Sequence, residues 1–276
     1  MRGMEFRMLG SSSSGNSALL KTADSLILID AGFSARRLGQ LMAKAGYRLE
    51  ELDAICVTHE HADHCKGIGG LAKLAHLPVF ANRHTARAIQ SRLKHRPNWR
   101  LFENGRAFGF RDLTIQPFSV PHDAVDPVAF FFETGNDDLF SPKCSLAWVT
   151  DLGHAPTLVR ERIRSADCLV LEANHDNDLL DRDERRPWST KQRIKGRHGH
   201  LSNAAAFSLL KECLSEGARP AWRSLVLAHL SKDCNRPRLV EDCFEPLRAA
   251  TPAGPLALQV IDPTADEPAE ALAVGA

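Results

Sequence analysis

The sequence predicts an α/β protein in which mixed β-sheets carry helices on their outer faces. Strand-like and helix-like segments alternate along the chain, and its first half holds more strands per helix than a simple doubly wound fold requires. Acidic residues and histidines also recur directly behind apolar runs, where the strand ends of α/β sheets gather ligand sites.

The first strand is expected over 5–9. It runs into Gly10-Ser11-Ser12-Ser13-Ser14-Gly15-Asn16-Ser17, a turn by composition. Because apolar residues return over 18–20, this stretch reads as a structured tight connection more than as a flexible linker. A strand over 25–30 follows, and Ser34 then caps a helix that runs to Ala45 and stops at Gly46. Residues 54–57 form the next strand, a histidine-rich loop leaves its end, and a helix covers 66–75. A further helix is expected over 85–94, with strands over 79–81, 114–118, 128–134 and 146–150. The second half repeats the alternation with helix 157–164, strand 168–172, a polar connection, helix 203–214, strand 224–228 and helix 238–249. No linker interrupts residues 1–250, so a single domain over 1–261 is expected. Residues 262–276, rich in alanine, proline and acid, read as a weakly ordered tail.

With 276 residues, 43% of them hydrophobic, the chain can bury a substantial core. A formal net charge of +1 supplies no global pull toward nucleic acid, while leaving room for a local basic face. The seven cysteines are odd in number and contain no C-x-x-C pair, which speaks against a disulfide framework or zinc ribbon and for a reducing compartment. Residues 1–20 lack the pattern of a secretory signal and no run reaches membrane-spanning length, so a cytoplasmic location is expected. Oligomeric state is left open.

The run His59-Glu60-His61-Ala62-Asp63-His64 packs three imidazoles and a free-looking carboxylate behind the strand ending at Val57. A loop there can turn several ligating side chains toward one point. Mixed nitrogen and oxygen donors suit several transition metals. This is not H-E-x-x-H, whose histidines stand four apart on a helix. The neighbours Asp63 and His64 diverge, so His61 and His64 need not serve the same ion, and two adjacent metals suit the pattern better than one. A merely solvated loop rarely concentrates so scarce a residue type.

His122 follows the apolar run 115–121, Asp151 follows 147–150, and His229 follows 225–228. Singly, His122 and His229 could be satisfied structural histidines and Asp151 a turn former. Their recurrence beside the first cluster favours one shared site.

With His59-x-His61-x-Asp63-His64, His122, Thr150-Asp151-Leu152-Gly153 and His229-Leu230-Ser231 in this order, the chain resembles the metallo-beta-lactamase superfamily. The resemblance implies a four-layer αββα sandwich of two mixed sheets, with a dinuclear metal site at one sheet edge. It also implies two divalent ions, zinc or manganese being expected. His59, His61 and His122 would hold one and Asp63, His64 and His229 the other, with Asp151 bridging both. A carboxylate has two oxygens to offer two cations and partly neutralises their charge. The serine-glycine run, His122-Asp123-Ala124, Glu172-Ala173-Asn174-His175-Asp176 and Gly199-His200-Leu201-Ser202-Asn203 narrow the resemblance to the YycJ/WalJ-like branch, regarded as DNA exonucleases. Ala173 departs from that branch, where a second polar residue is common, and residues 136–145 lengthen a hairpin.

Two ions about 3.5–4 Å apart can generate a bridging hydroxide and clamp an in-line phosphoryl displacement. Asp63 and Asp151 would orient the ions and their water. The same chemistry serves lactam and thioester hydrolysis, so metals alone do not select phosphorus. His175 and His200 add the selecting signal as candidate catalytic residues. Residues 199–203 precede a helix, and a helix N-terminus with free N–H groups binds phosphate. His175, His200, Ser202 and Asn203 are therefore the candidate phosphate contacts, with helix capping by Ser202 and local hydrogen bonding as the competing reading. Lys191, Arg193, Lys195 and Arg197 offer one face to a nucleic-acid backbone, with a merely solvated strand or loop as the equal alternative, and Arg83, Arg87, Arg92 and Lys94, around a helix, offer a second candidate face. The sequence thus points to a metal-dependent phosphodiester hydrolase with DNA as its partner. A small cyclic or nucleotide phosphodiesterase, a glyoxalase-like thioester hydrolase and a metal-stabilised binding module are the alternatives.

Overall fold

The computed structural model describes residues 3–135, 143–215, 220–248 and 256–275. Strands β1 (Met4–Ser12) and β2 (Gly15–Lys21) form an antiparallel hairpin, so the serine-glycine stretch is mostly strand and turns only at Ser13 and Ser14. β2 pairs with β3 (Leu26–Ile29), whose four residues are all buried. Helix α1 (Ala35–Lys44) opens where the Ser34 side chain accepts from the Arg37 N–H, and Leu38, Leu41 and Met42 form its buried face.

β4 (Ala54–Cys56) runs parallel to β3. Beyond it stand two single-turn helices, α2 (Ala62–Cys65) and α3 (Ile68–Leu71), in place of the loop and the continuous helix over 66–75. A close backbone crossing accounts for the break. The Gly67 N–H donates to Ala31 O at 2.7 Å, and a Cβ at Gly67 would lie 2.5 Å from Phe33 O. β5 (Pro78–Asn82), α4 (Arg83–Gln90) and β6 (Asn98–Phe102) extend the same parallel arrangement.

β7 (Phe108–Phe110), β8 (Leu113–Ser119), β9 (Val128–Thr134) and β10 (Cys144–Val149) form an antiparallel meander. Then come α5 (Thr157–Ser165), β11 (Cys168–Glu172), α6 (Asn177–Arg182), α7 (Trp188–Lys195), α8 (Asn203–Ser215), β12 (Ser224–Ala228), α9 (Pro237–Arg248), β13 (Ala257–Val260) and β14 (Leu272–Val274). The expected hairpin insertion falls largely on residues 136–142, outside the described residues, as does residue 249 at the expected helix end.

Among the described residues each sheet has seven strands, in the orders β14-β1-β2-β3-β4-β5-β6 and β13-β12-β11-β10-β9-β8-β7. Phe6, Met8, Ile27, Phe130, Trp148 and Val226 fill the space between them. On one outer face Leu28, Ile55 and Val79 pack with Leu38, Leu41 and Ile89 of α1 and α4. On the other, Val149, Leu169 and Leu227 pack with Val159, Leu210 and Phe244 of α5, α8 and α9. The result is the four-layer αββα sandwich of two mixed sheets that the sequence predicts.

Residues 262–275 correct the expectation of a weakly ordered tail. β14 pairs with β1 through Met4↔Val274 and Phe6↔Leu272, and the Ala269 N–H donates to Met8 O at 2.8 Å. Val274 is 3% exposed and belongs to the intersheet core. Composition missed this because a single short apolar face, Leu272 and Val274, suffices to cover the otherwise open edge of β1. The basic stretch 191–195 is likewise helical. Lys191 and Lys195, four apart on α7, both reach Asp181.

Candidate metal centre

The carboxyl ends of β3, β4, β10, β11 and β12 carry Asp30, Thr58-His59, Asp151, Glu172 and His229 to one edge of the sandwich. Asp30, Asp151 and His229 take left-handed backbone, with φ of 56°, 60° and 57°. That conformation costs a non-glycine residue on the order of 1–2 kcal/mol. It is held from outside: at His229 the N–H donates to Ser11 Oγ at 2.8 Å.

Four imidazoles are locked into one orientation by groups behind them. A carboxylate only accepts, so the ring nitrogen facing it carries the proton. His64 Nδ1 donates to Asp30 Oδ2 at 2.8 Å, and His229 Nδ1 donates to Glu172 Oε1 at 2.6 Å. The Thr58 hydroxyl donates to Asp30, at 2.9 Å from Oδ2, and accepts from His59 Nδ1 at 2.9 Å. His122 Nδ1 donates to Gly199 O at 3.2 Å. Each of these rings therefore turns its Nε2 toward a common centre, the arrangement metal-binding histidines use.

The structure gathers His59, His61 and His122 into one set of donor atoms, and Asp63, His64 and His229 into another. Asp151 lies between them. Its Oδ1 is 3.8 Å from His122 Nε2 and 3.4 Å from His229 Nε2, and its Oδ2 is 3.3 Å from His64 Nε2. Asp63 Oδ2 is 3.5 Å from His64 Nε2 and 3.6 Å from His229 Nε2. Both sets are thus assembled from the residues singled out in the sequence.

Burial opposes charge throughout this cluster, but the surrounding histidines, His229 foremost, hold Asp151 well below the usual carboxylate range. His64 is correspondingly raised by Asp151, Asp30 and Asp63 against its own burial. His59 falls far below an ordinary histidine, through burial and then the neighbouring His64. Three buried atoms, His59 Nε2, His229 Nε2 and Asp151 Oδ2, lack any hydrogen-bond partner. Orphaned acceptors converging on one point are what a divalent cation satisfies, so the residues fit the metals this fold implies.

An adjoining cavity of about 430 Å³ is lined by His61, Asp63, His122, Asp151 and His229. His175, His200, Arg186, Thr190 and Arg193 complete its lining, the His200 ring lying 5.1 Å from that of His122. Glu172 Oε1 also accepts from His200 Nδ1 at 2.7 Å, which leaves His200 Nε2 for the cavity. Burial pushes His175 down to about 4, and its Nδ1 has no partner. Ser202 and Asn203 do not line this cavity, contrary to expectation. The Ser202 hydroxyl accepts from the Ala205 N–H at 3.1 Å as a helix cap, and Asn203 exchanges side-chain hydrogen bonds with Asn235 at 2.8 and 3.0 Å.

Sequence reasoning assigned no such role to Asp30, Thr58, Glu172, Ser11 and Asn16. Asp30 and Glu172 do carry a signal, a carboxylate closing an otherwise apolar strand, which resembles that of Asp151. Glu60, inside the histidine run, joins neither set; its Oε1 accepts from the Val125 N–H at 2.9 Å and holds the loop behind His122.

A family model described as the beta-lactamase superfamily domain matches residues 26–221. The metallo-beta-lactamase fold protein YhfI from Bacillus subtilis superposes with a TM-score of 0.68 at 18% identity, over 98% of this chain and 99% of its own. Fold and site together define a metal-dependent hydrolase. Exodeoxyribonuclease YycJ of Bacillus anthracis is 34% identical over 239 residues, 86% of either chain. Exodeoxyribonuclease WalJ of Streptococcus pneumoniae serotype 2 is 35% identical over 242 residues, 84% of either chain. The chain belongs to the beta-lactamase superfamily and, within it, to the family of the exodeoxyribonucleases YycJ and WalJ.

Proposed function

We propose that this protein is a DNA exonuclease in which His59, His61 and His122 hold one divalent ion, Asp63, His64 and His229 hold a second, and Asp151 is shared. Zinc or manganese suits these mixed nitrogen and oxygen donors. The observation that carries the reading is the cavity whose lining joins the candidate metal donors with His175, His200, Arg186 and Arg193. A phosphodiester's negative charge suits both the ions and the two arginines of that lining, whereas a neutral thioester has no use for the arginines. Relatives at 34% and 35% identity that are named exodeoxyribonucleases direct the choice toward DNA over a small diester.

When bound, the ions supply Lewis acidity and make water nucleophilic at neutral pH. Asp151 keeps the two donor sets in register. Glu172 accepts from His200 Nδ1 and, against burial, raises that ring's pKa, so the protonated ring can donate from Nε2 to a phosphate oxygen or to the departing sugar oxygen. His175 adds a neutral donor or acceptor in the same lining. Arg193, 3.4 Å from Asp123 Oδ2 at the rim, is placed to exchange that partner for a strand's phosphate.

Among the described residues no helix is long and apolar enough to cross a membrane. The lack of disulfides among the described residues supports a reducing, cytoplasmic setting.

The test compares 5′-labelled and 3′-labelled, single- and double-stranded DNA with each reconstituted metal form. Progressive shortening of labelled strands is expected, as is its loss in a folded Asp151→Asn variant. Hydrolysis of small diesters with no DNA cleavage under any metal would overturn the assignment.

A further inference from the structure

The serine-glycine hairpin between β1 and β2 carries a buried pair, Ser11 and Asn16, that reaches both halves of the second donor set. Asn16 is 0% exposed. Its Oδ1 accepts from Ser11 Oγ at 2.8 Å, and Ser11 Oγ in turn accepts from the His229 N–H at 2.8 Å. Its Nδ2 lies 3.0 Å from Ser12 O, 3.3 Å from Asp63 Oδ2 and 3.2 Å from His64 Nε2. The amide orientation follows from these neighbours. Reversed, it would set its oxygen against a carbonyl and a carboxylate and leave the Ser11 hydroxyl hydrogen facing an amine.

One amide hydrogen goes to Ser12 O. The other faces Asp63 Oδ2 and His64 Nε2, two of the atoms that make up the second donor set. With a cation on Nε2, His64 keeps its one proton on Nδ1 against Asp30 and cannot donate back. A cation that takes the His64 lone pair leaves this hydrogen to the Asp63 carboxylate and so selects which carboxylate oxygen stays committed. Gly32 seals the arrangement, since a Cβ there would lie 1.8 Å from Asp63 O and 2.4 Å from Asn16 N.

We propose that Ser11 and Asn16 position the Asp63, His64 and His229 set and thereby set its cation affinity, leaving the His59, His61 and His122 set untouched. Asp63 and His64 come from α2 on one sheet's side and His229 from the end of β12 in the other sheet. The hairpin is a direct hydrogen-bonded link between them, from the His229 N–H through Ser11 Oγ and Asn16 to Asp63. Among the described residues no hydrogen bond joins this pair to His59, His61 or His122. This inference rests on the two-ion reading above.

The experiment titrates metal-free protein with zinc and with manganese against a chromophoric chelator, for wild type, Asn16→Ala, Ser11→Ala and Ser11→Thr. Asn16→Ala and Ser11→Ala should weaken one of two binding events by about 10–100-fold, the usual effect of removing a partner behind a ligand. The other event should stay within about 3-fold, and Ser11→Thr, which keeps the hydroxyl, should restore the wild-type pattern. Wild type binding a single cation would overturn the two-ion reading itself. Two cations with both affinities unmoved, or both weakened in parallel, would overturn the positioning role. Should Asn16→Ala fail to fold, Ser11→Ala, which removes one hydroxyl, carries the same test.

Discussion

Glu172 Oε1 accepts a hydrogen bond from His229 Nδ1 at 2.6 Å, and this contact decides which nitrogen of His229 faces the donor set. The same oxygen accepts from His200 Nδ1, while Oε2 accepts from the N–H groups of Leu152 and Leu201 at 3.3 and 3.0 Å. One fully buried carboxylate thus orients two histidines together, His229 toward the second donor set and His200 toward the cavity.

Glu172→Gln should break this arrangement while keeping its shape. Two imidazole N–H groups and two backbone N–H groups all require an acceptor, and an amide can accept on only one side. At least one pair is left against an NH₂ group, at about 1–3 kcal/mol per unsatisfied buried donor. The variant should melt earlier and bind one cation about 10–100-fold more weakly by chelator competition. Wild-type melting and metal affinity would contradict the orienting role.

His200→Ala should separate substrate handling from metal binding. His200 lies outside the two proposed ion-holding sets, so metal analysis should still find both ions, while kcat falls by about 10²–10⁴ as expected for loss of a positioned proton donor. Unchanged DNA turnover with both metals retained would remove His200 from the reaction.

Thiol labelling tests the interior. Burial pushes the Cys168 thiol up to about 12 and Cys65 up to about 11, so little thiolate exists at pH 8. Cys243 is the cysteine that remains part-exposed. A small alkylating reagent on native protein should modify Cys243 first and reach Cys56 and Cys168 only after unfolding, as read by mass spectrometry. Early labelling of Cys168 would show that the second sheet is less closed than described.

Removing residues 269–276 should destabilise the whole sandwich. β14 supplies Val274 to the intersheet core and covers the edge of β1. Loss of that burial amounts to about 2–4 kcal/mol, or roughly 5–15 °C in Tm. The ion pairs of Arg37 with Asp266 and Lys44 with Glu267 would survive the cut, and being exposed they add little. Amide exchange at Phe6 should quicken in the shortened chain; equal protection would argue that β14 contributes nothing.

The candidate metal donors were legible because each sits at a recognisable local event, an apolar run that ends in His or Asp, or histidines crowded into one short segment. Asp30 and Glu172 end apolar runs too. Nothing local distinguishes a carboxylate that faces a cation from one that stands behind a histidine, since that depends on which ring lies across the sheet edge. Ser202 and Asn203 were misplaced for the converse reason. Their helix start is real, but Ala205 and Asn235 occupy the groups that would have met phosphate.

By itself the sequence determined the layered α/β class, the strands whose ends gather the site, and seven candidate metal-ligating side chains. Those follow from periodicity and residue type, which are local along the chain. Tertiary structure alone decided the tautomers of four histidines, the link from Ser11 and Asn16 to Asp63 and His229, the breaking of a helix at Gly67, and the pairing of β14 with β1. Each depends on groups tens to hundreds of residues apart meeting at about 3 Å, the range over which a hydrogen bond has direction and force.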